Sequence, residues 1–281
     1  MKTTHIENRK EMVNTMFITA KALCHAGTFH ADDVFSGAFL RLLNPEIEII
    51  RSNSVPENFD GIVFDIGNGE FDHHSLPRET RANGIPYAAF GKLWRKFGHL
   101  ICSEFVVKYI DEMVCSKLDL TDNTGEFNML SDVIGLFNPF TSEKEKSVDN
   151  AYFEALEMAK NILTRYIVKG MSEEFNAKEV KKSLGNSKIA GVLVLDKFIP
   201  WTYFVSNHKE LNLKVAIYPS DRGGFCAQIV PNSGFEFPKS WWGTMTESNS
   251  PVNGMTFCHA TGFLASFKTL EDALREVQKI L

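Results

Sequence analysis

The stretch Cys24-His25-Ala26-Gly27-Thr28-Phe29-His30-Ala31-Asp32-Asp33 constrains this chain most, because it sets two imidazoles and two carboxylates between an apolar run and a helix-like run. Phe17 to Leu23 is apolar. From Ala31 to Leu43 apolar residues recur at helical spacing, with Val34, Ala38 and Leu42 beside Phe35, Phe39 and Leu43, until Asn44-Pro45 stops the pattern. The order is strand, ligand-rich loop, helix. Ile47 to Ile50 and Gly61 to Ile66 are short β-branched runs, the second largely apolar, as a strand covered on both faces would be. The alternation predicts an α/β fold with a parallel sheet, and such sheets place their sites beyond the carboxyl ends of the strands.

A second cluster falls at such an end, Phe64-Asp65-Ile66-Gly67 followed by Phe71-Asp72-His73-His74, and further carboxylates come at Asp119 and Asp122. Taken singly each piece is ordinary: a loop histidine at 25, a helix cap at 32 or 33, a solvated turn at 72–74. Together, each at an element end, they specify a metal site. Imidazole nitrogen and carboxylate oxygen suit Mn²⁺, Mg²⁺, Fe²⁺ or Zn²⁺, and the absence of a CxxC pair argues against structural zinc or an iron–sulfur cluster. A closed structural site needs only four ligands, so the surplus here favours a hydrolytic site with positions open to water.

The net charge of −5 gives no general attraction to nucleic acid, so any contact with a polyanion must be local. Five scattered cysteines in a 281-residue chain need no disulfide framework and point to reduced thiols and the cytoplasm. No apolar run is long enough to cross a bilayer, and the first sixteen residues lack the apolar core of a secretory signal.

From Tyr87 to Tyr166 the pattern is mostly helical, broken at Gly98, around Thr121 to Gly125, and at Asn138-Pro139. We expect a metal-binding domain over residues 1–170, a linker over 171–187, and a smaller α/β domain over 188–281. The smaller domain has strand-like runs at Ile189 to Leu195, Leu213 to Tyr218 and Phe225 to Val230. Its last helix is capped by Thr269 and turns Leu270, Ala273, Leu274, Val277 and Leu281 to the core.

The motifs His25-Ala-Gly-Thr-Phe-His30-Ala-Asp32, Asp65, Asp72-His73-His74 and Asp122-Asn123 resemble the signature of the melanocyte-proliferating-gene product family, a branch related to the DHH phosphoesterases. The resemblance resumes at Ile199-Pro200-Trp201, Pro238 to Trp241 and Phe257 to Phe263. It implies a DHH-phosphoesterase-like parallel-sheet N-terminal domain with two divalent ions, preferably Mn²⁺. Carried over from the family pattern, His25, His30 and Asp65 hold one ion, while Asp32, Asp65, His73 and Asp122 hold the other, with Asp65 bridging. The same pattern turns His74 towards the substrate, and Asp72 then orients His73. Asp33 caps the helix or supports the site. DHH relatives usually carry aspartate where His30 stands, and the neutral imidazole here lowers the site's negative charge and shifts the preference from Mg²⁺ towards Mn²⁺, Fe²⁺ or Zn²⁺.

The resemblance also implies that His259 and Gly262 grip a phosphate, against the plainer reading of Phe257 to Phe263 as a polar turn before the last helix. Arg222 reads as a turn residue, and Trp201, Trp241 and Trp242 as packing. Lys92, Arg95 and Lys96 read equally as phosphate contacts or a solvated face, and Cys24 and Cys258 as buried apolar residues. The expected activity is phosphate-ester hydrolysis, as a phosphodiesterase or exonuclease on short RNA or nucleotides. Two alternatives stay open: hydrolysis of a phosphoanhydride or amide, and a metal-binding module without turnover. So does a homo-oligomeric state.

Overall fold

The structure is a computed structural model that describes residues 19–143 and 145–281; the first sixteen residues, with Phe17 of the first apolar run, lie outside it. The chain divides into two compact units, the first ending at Met171 and the second spanning Ser172–Leu281. In the first, β1 (Lys21–His25) is the centre of a three-stranded sheet, flanked by β2 (Glu48–Ser52) and β3 (Ile62–Val63). Both pairings are parallel, as the alternation of strands and helices predicts.

Helix α1 (Ala31–Leu43) returns the chain from β1 to β2 and is buried almost all round, carrying Phe35 and Phe39. Those rings meet Phe90 and Trp94 of α2 (Ala89–Phe97), with Phe39 and Trp94 centroids 4.9 Å apart. All four rings are fully buried, and each contributes about 1.5–3 kcal/mol by leaving water. Helix α3 (Glu104–Ile110) continues through a π-helical turn at Asp111–Cys115 into α4 (Ser116–Thr124), and α5 (Met129–Gly135) follows.

Helix α6 runs from Val148 to Ser183, through most of the segment read as a linker. The polar composition there hides helical spacing: Lys178 pairs with Glu174 and Lys182 with Glu179 on the outside. On the inside Ala177, Val180 and Leu184 pack into a core of the second unit.

The second unit has a five-stranded sheet in the order β4-β5-β6-β8-β7, made of β4 (Val192–Val194), β5 (Val215–Pro219), β6 (Phe225–Ile229), β7 (Met255–Cys258) and β8 (Leu264–Phe267). A short helix α7 (Thr202–Ser206) precedes β5, and α8 (Leu270–Ile280) closes the chain. The Thr269 hydroxyl accepts from Asp272 N–H as the sequence predicts, and Ala273 and Val277 are buried. The segment Phe257 to Phe263 does not lead into the last helix; it forms the β7–β8 hairpin, with β8 intervening. Trp201 and Trp241 are core residues. Among the described residues no helix is long and apolar enough to cross a membrane.

Candidate metal centre

His25 ends β1, and Asp65 lies just past β3, so both stand at carboxyl ends of parallel strands. Asp65 holds a left-handed backbone (φ 55°), which a non-glycine residue adopts at a cost and which recurs at functional sites. Its N–H donates to the Phe71 carbonyl, so the Asp65 turn and the Asp72-His73-His74 segment are tied together. Asp122 reaches the same place from the last turn of α4, which ends at Gly125.

His25 Nε2 stands 3.2 Å from Asp65 Oδ2 and 3.3 Å from Asp33 Oδ2. His73 Nδ1 is 3.3 Å from Asp65 Oδ1 and 4.0 Å from Asp32 Oδ2, while its Nε2 is 2.8 Å from Asp122 Oδ2. Three groups of side chains could therefore each surround an ion: His25 with Asp33 and Asp65; Asp32 with His73 and Asp122; and Asp65 with Asp72, His73 and His74. Asp65 belongs to two of them.

Asp32, Asp33 and Asp65 are almost wholly buried. Asp32 is held by α2, whose Ala89 and Phe90 N–H groups donate to its two oxygens at 2.9 and 2.8 Å. The next residue of that helix is held likewise: Gly91 N–H donates to Asp119, whose carboxylate also meets Arg81 at 2.7 Å. A side chain at Gly91 would strike that carboxylate. Asp119 is therefore a support under the site, not part of its open face. Asp33 accepts from His30 N–H, as a helix cap does, and presents its other oxygen to His25.

The electrostatics are those of crowded acids. Burial raises the Asp33 carboxyl to about 7, with Asp65 adding to the effect. Burial, then Asp65, Asp122 and Asp119, hold Asp32 well above the carboxylate range. The Asp65 carboxylate raises His25 to about 9. Burial opposes charging His73, yet Asp122 and Asp65 lift it above its usual value. Asp33 Oδ2, Asp65 Oδ1 and His73 Nδ1 are buried without a hydrogen-bond partner, although each lies within 3.3 Å of an oppositely suited atom. Close but unaligned donor atoms suit a set that converges on a third atom, so the residues fit a divalent cation.

His30 is exposed and stands outside these groups, its ring 6.2 Å from that of His25. Asp72 pairs with His74, where sequence reasoning had it orient His73. His74 Nδ1 lies 2.6 Å from Asp72 Oδ1, and Asp72 also accepts from His74 N–H and Asn68 N–H. This leaves His74 Nε2 as the free ring nitrogen, on an exposed imidazole stacked on His73. Lys92 donates to the Asp72 carbonyl, and Arg95 and Lys96 pair with Glu79 and Glu70, which accounts for this helix face without phosphate.

A cavity of about 560 Å³ opens on the group, lined by His25, His30, Asp65, Asp72, His73, His74 and Asp122, and also by Arg78 and Asn123. Sequence reasoning missed the clamp beneath it. Buried Arg51 donates to Gly27 O and pairs with Asp149, both at 2.6 Å, with its guanidinium over the Tyr152 ring. Asn138 exchanges two hydrogen bonds with the Phe29 backbone, and Tyr152 OH donates to Asp33 O. Asn138 shows in the sequence only as a helix break, and Tyr152 gives no signal at all.

His259 and Gly262 belong to the second unit, in the β7–β8 hairpin. His259 Nδ1 accepts from the Thr261 N–H, and Gly262 N–H donates to the His259 carbonyl. Gly262 has φ 69°, and a side chain there would strike the Trp242 indole, so the turn itself requires glycine.

The family model for MYG1 exonucleases, described as an uncharacterised protein family (UPF0160), matches residues 21–281. A MYG1 protein of Schizosaccharomyces pombe is 27% identical, covering 93% of this chain and 97% of its own length. The MYG1 exonuclease of Rattus norvegicus is 24% identical, covering 95% and 86%. Among solved structures, Mg²⁺-complexed RecJ of Thermus thermophilus covers 98% of this chain and 51% of its own, at 11% identity and a TM-score of 0.27, a likeness too slight to carry weight. Matched over nearly its whole length, the chain belongs to the MYG1 exonuclease family.

Proposed function

We propose that this protein is a metal-dependent phosphodiesterase of the exonuclease type, acting on short RNA or nucleotides in the cytoplasm. The observation that carries the reading is the crowd of Asp32, Asp33, Asp65, Asp122, His25 and His73 at the strand ends, with buried donor atoms left unpartnered. Relatives named MYG1 exonuclease support the substrate class, and five free, buried cysteines suit a reducing compartment.

In this reading Asp65, which belongs to two of the three ligand groups, would help to hold both of two divalent ions. His25 would hold one, joined by His30 on the family pattern or by Asp33 on the distances, and Asp32, His73 and Asp122 would hold the other, with Mn²⁺ the preferred metal. Such a pair supplies Lewis acidity that makes hydroxide available near neutral pH and neutralises charge on the phosphate. The chain's own residues do the rest. The α2 N–H groups fix Asp32, and the Asp72 carboxylate holds His74 by Nδ1, which leaves Nε2 as the free nitrogen of a cavity-lining ring. His74 then holds a phosphate oxygen or gives its proton to the leaving alkoxide. His259 is assigned a phosphate contact outside the metal ligands.

Turnover of dinucleotides, short RNA, short DNA and pyrophosphate, each with Mn²⁺, Mg²⁺ and Zn²⁺, tests the reading alongside elemental analysis. Metal-dependent release of mononucleotides from short RNA is the expected result. Cleavage of pyrophosphate alone would replace the phosphodiester by a phosphoanhydride, and bound metal without any turnover would leave a binding module.

A further inference from the structure

The second unit carries a cavity of its own, of about 470 Å³, inside the roughly 300–1,000 Å³ range of small-ligand sites. Its floor is a row of side chains crossing four strands. Tyr218 lies opposite Cys226, Cys226 opposite Ser266, and Ser266 opposite Phe257, so all four stand on one face of the sheet. The other face, with Ile217, Ala227, Ala265 and Phe267, is packed under Ala273 and Val277 of α8.

The floor combines ring surface with small polar groups. Phe198 is 53% exposed, and its ring centroid lies 5.1 Å from that of Tyr218. Phe257 is half-buried, and among the described residues the hydrogen-bond contact of Ser266 Oγ is the Cys226 thiol, at 3.7 Å. At the rim, Arg222 is exposed at the β5–β6 turn, and among the described residues its guanidinium has no ion pair or hydrogen bond. The turn does not need that side chain. It is closed by the Ser220 N–H bond to Gly224 O, the Gly223 N–H bond to Ser220 O, and the Arg222 N–H bond to Ser220 Oγ. Asp221, the other charge at the rim, can only accept hydrogen bonds and so suits sugar hydroxyls better than phosphate.

We infer that this groove binds a nucleoside monophosphate unit, its base against Phe198 and Phe257, its sugar over Ser266, and its phosphate on Arg222. Aromatic faces take any base by stacking, and an unpaired guanidinium takes a phosphate with two parallel hydrogen bonds. Inorganic phosphate would leave the rings idle, and an uncharged aromatic ligand would leave Arg222 idle. The inference does not rest on hydrolysis in the first unit, because binding needs neither metal nor turnover.

Calorimetric titration of the full chain with AMP in excess chelator tests it. We expect saturable one-to-one binding, with adenosine and inorganic phosphate each at least about tenfold weaker. Arg222→Ala should weaken AMP about tenfold and leave adenosine unchanged. Phe198→Ala should weaken AMP and adenosine alike, about five- to tenfold, and leave phosphate unchanged. A 5′-phosphorylated tetranucleotide that binds more tightly than AMP assigns the unit to a strand; equal binding assigns it to a free nucleotide. No saturable binding, or binding that His74→Ala removes and Arg222→Ala spares, overturns the inference. Because the titration contains no metal, its failure leaves the hydrolytic reading standing, and loss of turnover leaves this one standing.

Discussion

The two units treat charge in opposite ways. In the first, Asp32, Asp33 and Asp65 are buried at the strand ends, and Asp33 Oδ2 and Asp65 Oδ1 have no hydrogen-bond partner. In the second, the buried carboxylate is Glu276, and it is answered by Arg275 and Lys279. Burying a charge is costly unless it is paired. The first arrangement is thus one that a bound cation would complete, whereas the second pairs its buried charge within the fold and keeps its remaining charges, Asp221 and Arg222 among them, at the surface.

Removing the shared carboxylate should break the first unit's arrangement most completely. Asp65→Asn is expected to lose about 10³-fold or more in turnover, the scale of several kcal/mol of charge stabilisation, together with metal content. Wild-type kcat/KM and metal stoichiometry would deny Asp65 the bridging role. Asp72→Asn comes next, at about 10- to 100-fold in kcat with metal occupancy kept, because its partner is His74 rather than a ligand. If Asp72→Asn empties the site instead, the pairing of Asp72 with His74 does not describe the working enzyme.

The pH dependence of stability sharpens the contrast further. Asp32 and Asp33 have raised values in the folded chain, Asp33 at about 7 against 3.8 when unfolded. The folded state therefore holds protons that the unfolded state releases. The Asp33 contribution is complete below about pH 4 and is lost as pH rises through about 7, and that of Asp32, raised by burial and its acidic neighbours, is likewise lost as pH rises. In chelator, Tm should fall by several degrees between pH 5 and 8, and Mn²⁺ should cancel that fall by binding only the folded state. Melting curves that keep the same slope with and without metal would show that these carboxylates are not where the ion binds.

Smaller effects belong to the supports. Asn138→Ala frees the Phe29 backbone and should weaken metal binding about three- to tenfold, with about 1 kcal/mol lost in denaturant unfolding. Unchanged metal affinity would reduce Asn138 to ordinary packing. Thr269→Ala removes the α8 cap and should cost about 1 kcal/mol without changing metal content or turnover. A fall in metal content there would mean that the two units are not independent in this respect.

Much of this was legible along the chain. Helix α1 with its stop at Asn44-Pro45, the parallel pairing of β1, β2 and β3, and the Thr269 cap follow from spacing, since each depends on neighbours within a few residues or on one face being apolar. The histidines and aspartates could be named because ligand types crowd at element ends. What spacing could not give was who faces whom. Asp72 and His73 are adjacent, yet the Asp65 turn and the Asn68 N–H point Asp72 to His74. His30 and Asp33 are three residues apart on one helix start, and the turn of the backbone carries Asp33 inward to His25 and leaves His30 exposed at the cavity wall. Arg51 and Asn138 reach the loop before α1, and Tyr152 the first turn of α1, from three distant segments. The row Tyr218, Cys226, Ser266 and Phe257 exists only once four strands have taken their register. The sequence determined which chemistry the chain can carry, because residue type sets ligand and charge. Only the tertiary structure decided which atoms meet, because that depends on strand register and helix placement, which distant parts of the chain fix together.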